Sequence, residues 1–153
     1  MPTSTIYIIG FGHVGQAVAE LAQWLGYRVV AWDDRAELDD VAPDGVIRAG
    51  GDIEGALREV PIDPNTYVVM VTRNVDLDVT ILPPLLRSPA AHIGVMGSSR
   101  RWATTRQRLA GEGIEPALLD LVESPIGKEI AAETPSEIAV SILARVIEHE
   151  RSR

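Results

Sequence analysis

The residues whose types and spacing could do chemistry are three glycines and an acid. Gly10, Gly12 and Gly15 stand in the run Gly10-Phe11-Gly12-His13-Val14-Gly15, and Asp33 follows on the order of 20 residues later. This spacing suits a phosphate-bearing dinucleotide. Gly10 permits a sharp turn out of a strand, Gly12 leaves the backbone open to a pyrophosphate, and Gly15 lets the next helix lie close to the strand. The start of that helix, at His13 and Val14, offers free N–H groups and a partial positive charge to the phosphates. Asp33 can accept from both ribose hydroxyls, which favours NAD over NADP because a 2′-phosphate would meet its charge. Asp34 and Arg35 lie beside it, and Arg35 tempers that preference.

The glycines mean this only if strand, turn, helix, strand and acid follow in order, and they do. Ile6, Tyr7, Ile8 and Ile9 form an apolar run into Gly10. Val14, Val18, Leu21, Ala22 and Leu25 then repeat at helical spacing, and Val29 to Trp32 make a second strand closed by Asp33. Further along, Asp34 to Gly45, with Asp39-Asp40, reads as loop or a short helical turn, and Val46 to Ala49 as a third strand. Asp52 is placed to cap a helix bearing Ile53, Ala56, Leu57 and Val60. Tyr67 to Val71 suits a buried parallel strand whose exit, Thr72-Arg73-Asn74, should lie beside the glycine turn. The helix after Asp76 should break near Leu82, because Pro83 and Pro84 remove donors. A fifth strand, Ile93 to Met96, leads to Gly97, with Ser98-Ser99 capping an arginine-rich helix. Leu118 to Val122 gives a short helix and a last extended piece. Thr134-Pro135-Ser136-Glu137 is a capping box opening a final helix with a wide apolar stripe.

Strand and helix alternate throughout, so the fold class is α/β, a doubly wound parallel sheet of about five or six strands with helices on both faces. Ligands in such sheets bind outside the carboxyl ends of the strands, where strand order reverses. That gathers Gly10 to Gly15, Asp33, Thr72, Arg73 and Gly97 to Arg101 around one crevice. Arg100 and Arg101, at a helix start, oppose the helix dipole and suggest a nearby anion such as a phosphate. Asp78 and Arg73 can pair with each other or touch a ligand.

Composition bounds the rest. A chain of 153 residues with 46% hydrophobic and 24% charged residues has the make-up of a single globular domain, expected to span residues 1–153. A net charge of −8 argues against a general nucleic-acid surface. The sequence contains no cysteine, which removes disulfides, thiolate metal sites and a thiol nucleophile. Nothing in it resembles a signal peptide or a membrane span, so a cytoplasmic protein is expected. A homodimer is expected through the last helix or a sheet edge. No catalytic constellation emerges, and with only three histidines no metal-ligand spacing does either.

GFGHVG followed by WDDR, then VTRNVDLD, IGVMGSSRR and ESPIGKEIAAETPSEIAVSILARVI, resembles the Rossmann domain of the XdhC and CoxI family. These are accessory proteins of molybdenum hydroxylases such as xanthine dehydrogenase and carbon monoxide dehydrogenase. The resemblance runs from Ile6 to Ile147, and GSSRR and the SPIG to PSEIAVSI stretch are its most specific parts. It implies a protein that binds the molybdenum cofactor, or molybdopterin, protects it during sulfuration and hands it to the apo-enzyme. Family members usually carry an N-terminal domain with a cysteine motif, which this chain is expected to lack. Asn74 and Val75 replace histidines often found after the Thr-Arg position, while Asp78 keeps the acid. Lys128 and Arg145 stand where Leu and Glu are more usual. A thiol-ligated cofactor then needs a separate cysteine-bearing partner, unless only the nucleotide site is kept. Two further readings stay open: a regulatory NAD-binding module of the potassium-transport (TrkA-N-like) type, suggested by Gly51-Asp52 and Leu57, and a small NAD(P)-dependent oxidoreductase, suggested by the fold alone.

Overall fold

The structure, a computed structural model, describes residues 3–38 and 41–153. Six parallel strands form one sheet in the order β3-β2-β1-β4-β5-β6. They are β1 Thr5–Ile9, β2 Arg28–Trp32, β3 Ile47–Arg48, β4 Thr66–Met70, β5 His92–Val95 and β6 Val122–Glu123. The order reverses between β1 and β4. Ile9 is opposite both Trp32 and Met70, and Met70 is opposite Val95, so the strands end level and their exit loops share one edge.

The strands bury both faces, as parallel strands do, and side chains alternate between two cores. Tyr7, Ile9, Val30, Val68 and Met70 face one core, covered by α2 (Ile53–Glu59), α3 (Val75–Leu86) and α4 (Ser99–Gly111). Ile6, Ile8, Val29, Tyr67 and Val69 face the other, covered by α1 (His13–Trp24) and α6 (Pro135–Arg151). A short α5, Pro116–Leu119, leads into β6. The apolar stripe of α6 is core: Ile142, Leu143 and Val146 are buried in the same cluster as Val18 and Ala22 of α1.

Local signals explain most boundaries. Asp52, Asn74, Ser98 and Thr134 each accept from a backbone N–H in the first turn of α2, α3, α4 and α6, and Thr134 and Glu137 complete the capping box. The third strand is shorter than Val46 to Ala49, though Ala49 N–H still donates to the Ala31 carbonyl at 3.0 Å. Within the loop expected after Asp34, Ala36–Leu38 form a 3₁₀ turn, and Asp39-Asp40 lie outside the described residues.

The expected break near Leu82 does not occur. α3 runs unbroken through Pro83 and Pro84 to Leu86. The prolines remove two helical hydrogen bonds in the last turn, worth roughly 1 kcal/mol each. Ile81, Leu82, Leu85 and Leu86 are all buried, each gaining roughly 2 kcal/mol, so packing outweighs the lost donors. Among the described residues no helix is long and apolar enough to cross a membrane.

Candidate functional site

Two of the three fingerprint glycines are required by close approach. Gly10 has φ of 101°, and a Cβ there would lie 2.9 Å from the Val71 carbonyl oxygen. A Cβ on Gly15 would lie 2.1 Å from the Gly10 carbonyl oxygen, so α1 can reach the turn only with glycine there. β1, the turn and the exit of β4 are thereby pressed together. Gly12 is the N-cap of α1 and supplies no side-chain cap. Among the described helices of seven or more residues, α1 is the one without such a cap. Its first residues, Gly12, His13 and Val14, line the crevice, and an uncapped helix start of this kind can receive phosphate.

A cavity of about 540 Å³ opens there, lined by Gly12, His13, Val14, Gln16, Arg35, Leu38, Val71, Thr72, Arg73, Met96 and Arg101. A larger one, about 720 Å³, opens at the opposite edge of the sheet among Ser4, Tyr27, Asn65 and Glu150. The smaller is the better site because it lies at the carboxyl ends of the strands, at the switch point, against the uncapped helix.

Asp33 directly follows β2 and is buried, its side chain only 2% exposed. Oδ2 accepts from the Phe11 N–H at 2.6 Å and from the Arg35 guanidinium at 3.0 Å, while Oδ1 accepts from the Arg35 N–H at 2.8 Å and from Arg35 Nε at 3.0 Å. Burial alone would raise its pKa, but the hydrogen bonds from Arg35 and Phe11 hold the carboxyl far below its usual range. Arg35 rather than Asp33 faces the cavity, and its terminal nitrogen lies 3.3 Å from where a Gly12 Cβ would be.

On the other side of the switch point, Asp78 is completely buried on α3. It accepts from the Thr72 hydroxyl and, at 2.6 Å, from the Arg101 guanidinium, which also donates to the Thr72 carbonyl at 3.2 Å. Arg101 Nε is buried without a partner among the described residues. The pairing of Arg73 with Asp78 is therefore not found. Asp78 faces inward and is taken by Arg101, while Arg73 turns outward to the exposed Asp34 at 3.4 Å. Likewise the anion beside Arg101 is the protein's own carboxylate. Arg100 is exposed and does not line the cavity.

The structure thus brings Gly12, His13, Val14, Arg35, Thr72, Arg73 and Arg101 to one cavity, with Gly10, Phe11, Gly15, Asp33 and Asp78 behind them and Asp34 at the rim. Gly97 lines an adjoining cavity of about 380 Å³, and Ser98 accepts from the Arg101 N–H to cap α4. Gln16, Leu38, Val71 and Met96 were not expected at the site. Gln16 could have been found from its place after Gly15 in the first turn of α1. Met96 could have been found as the residue between β5 and Gly97.

The family model described as the XdhC Rossmann domain matches residues 6–146. The chain belongs to the XdhC Rossmann-domain family. A probable xanthine dehydrogenase subunit of Bacillus subtilis (strain 168) is 30% identical over 151 residues, covering 96% of this chain and 43% of that protein. The uncharacterized protein YqeB of Escherichia coli (strain K12) is 29% identical over 146 residues, covering 94% of this chain and 27% of that protein. A crystal structure of a xanthine dehydrogenase from Bacillus halodurans superposes with a TM-score of 0.83 at 30% identity, covering 99% of this chain and 44% of that one. The chain spans less than half the length of each of these relatives.

The stretch after β6 ties β5 to α6 beside the cavity that Gly97 lines. Ser124 Oγ and the Ile126 N–H donate to the Val95 carbonyl at 2.9 and 3.0 Å. A Cβ on Gly94 would collide with Ile126, and one on Gly127 would collide with Ser141, whose hydroxyl donates to the Lys128 carbonyl at 2.8 Å. Lys128 and Arg145 belong to a charged lattice along α6. Lys128 pairs with Glu148, and Arg145 pairs with Glu123 and Glu148. Burial would raise the Glu123 pKa, but Arg145 and then His92 hold it below its usual value.

Proposed function

We propose that this domain binds a phosphate-bearing cofactor at the glycine turn and serves as an accessory to a molybdenum hydroxylase such as xanthine dehydrogenase. The observation that carries the binding is the uncapped start of α1 opening on a cavity that Arg35, Arg73 and Arg101 line, in a chain whose net charge is −8. A cationic crevice on an acidic protein selects anions by their charge. A dinucleotide fits these residues: the pyrophosphate goes to the N–H groups of α1, and its remainder runs along the strand ends toward Met96.

A molybdenum cofactor fits only in part. Its phosphate can use the same N–H groups and arginines, but the sequence supplies no thiolate, and no cluster of three or more His, Cys, Asp or Glu among the described residues could hold a metal. Sulfur ligation therefore falls to a separate cysteine-bearing domain or protein. The accessory role is supported by the family and by the names of the two Bacillus relatives. The family match also favours this reading over a potassium-transport module. The oxidoreductase reading rests on the fold alone, which many unrelated functions share.

Deletion of this chain in its host tests the role. The hydroxylase should accumulate with its activity reduced and should regain it when the chain is restored. Full hydroxylase activity without the chain would remove the proposal.

A further inference from the structure

We infer that the adenosine end of the crevice takes a 2′-phosphorylated ribose, so that NADP-type dinucleotides bind in preference to NAD, with Arg35 as the deciding residue. This rests on the dinucleotide reading above and narrows its ligand.

A ribose diol is recognised by donating its hydroxyl protons to the acid after the second strand. Asp33 has no room for them. A carboxylate offers about four acceptor positions, and the Phe11 N–H, the Arg35 N–H and two guanidinium N–H groups fill them at 2.6 to 3.0 Å. Asp33 is also shielded, since its side chain is 2% exposed while that of Arg35 is 26% exposed. For a diol to reach the acid, Arg35 must leave it and break two charge-assisted hydrogen bonds.

A 2′-phosphate requires no such displacement. The guanidinium carries five N–H donors in a planar fork, and only Nε and one N–H of a terminal nitrogen are turned toward Asp33. That terminal nitrogen, Nη2, also lies 3.3 Å from where a Gly12 Cβ would be, and Arg35 lines the cavity there, so three of its five N–H donors are not spent on Asp33. Asp33 holds it in place, so the arginine is pre-oriented, and its charge compensates the acid that would otherwise repel the phosphate. Arg73 stands at the same rim and adds to the field. The acid read from the sequence as a selector for NAD is thus the anchor of a cation that selects against it.

Calorimetric titration of the full chain with NADP, NAD, adenosine 2′,5′-bisphosphate and AMP tests this, at fixed ionic strength. NADP should bind at least about tenfold more tightly than NAD, and adenosine 2′,5′-bisphosphate should exceed AMP by a similar factor. Arg35→Ala should bring both ratios within about threefold while NAD affinity holds or rises, because Asp33 is freed for the diol. Arg35→Lys, which keeps the charge without the fork, should keep an intermediate preference and covers the case in which the alanine variant does not fold. Equal or tighter binding of NAD by the native protein overturns the inference and leaves the dinucleotide reading standing. Binding of neither dinucleotide overturns that reading and this one with it.

Discussion

Replacing Asp78 by alanine should cost the protein more than any other single change to a charged residue at the crevice. Asp78 is completely buried, and it accepts from the Thr72 hydroxyl and from Arg101. Removing one partner of a buried ion pair costs about 3–5 kcal/mol, because the other charge stays behind. The Arg101 side chain is 20% exposed and keeps its bonds to Thr72, which places the cost near the lower end, at about 3 kcal/mol. For a domain of this size each kcal/mol lowers Tm by about 2–4 °C, so the expected drop is about 6–12 °C. Urea and thermal denaturation followed by circular dichroism measure it, given two-state unfolding. The pair Asp78→Leu with Arg101→Met removes both charges and should recover most of the loss, giving a coupling of at least about 1.5 kcal/mol in the double-mutant cycle. A Tm drop under about 2 °C for Asp78→Ala, or additive effects in the cycle, would refute the reasoning.

Three further outcomes follow from the geometry. Gly15→Ala places a methyl group 2.1 Å from the Gly10 carbonyl oxygen, so the turn must shift; a loss of about 1–3 kcal/mol in urea denaturation is expected, together with weaker nucleotide binding. Thr134→Ala breaks the capping box of α6 and should cost about 1 kcal/mol, read as a Tm lower by about 2–4 °C. Burial, then the nearby His92, Arg145 and Arg153, push the His149 pKa below its ordinary 6.5 against a partial opposing pull from Glu123. The unfolded chain therefore takes up that proton more readily than the folded one, so the stability is present above pH 6.5 and is lost as pH falls below it. His149→Phe, which keeps a ring against Tyr67, should flatten the decline in Tm between pH 7 and pH 5, and an unchanged slope would remove His149 as its cause.

The glycine turn was legible in the sequence because local rules govern it: a strand, a close turn, an uncapped helix and an acid at a fixed distance. The caps at Asp52, Ser98 and Thr134 were legible for the same reason. What stayed hidden depends on partners distant in the chain. Arg101 meets Asp78 only after α3 and α4 pack side by side, and the sequence offers Arg73 as the nearer candidate. Pro83 and Pro84 signal a break that the buried face of α3 overrides. Asp33 and Arg35 are near neighbours in sequence, yet their spacing does not say that one saturates the other.

The claim that the crevice at the α1 start is the working site is tested most directly by amide NMR of the labelled protein during titration with NADP. The largest shifts should fall on the N–H groups of Gly12, His13 and Val14 and on Arg35, with Thr72 and Arg73 following. Shifts confined to the opposite cavity, at Ser4, Tyr27 and Glu150, would contradict the account, as would the absence of any shift at millimolar ligand.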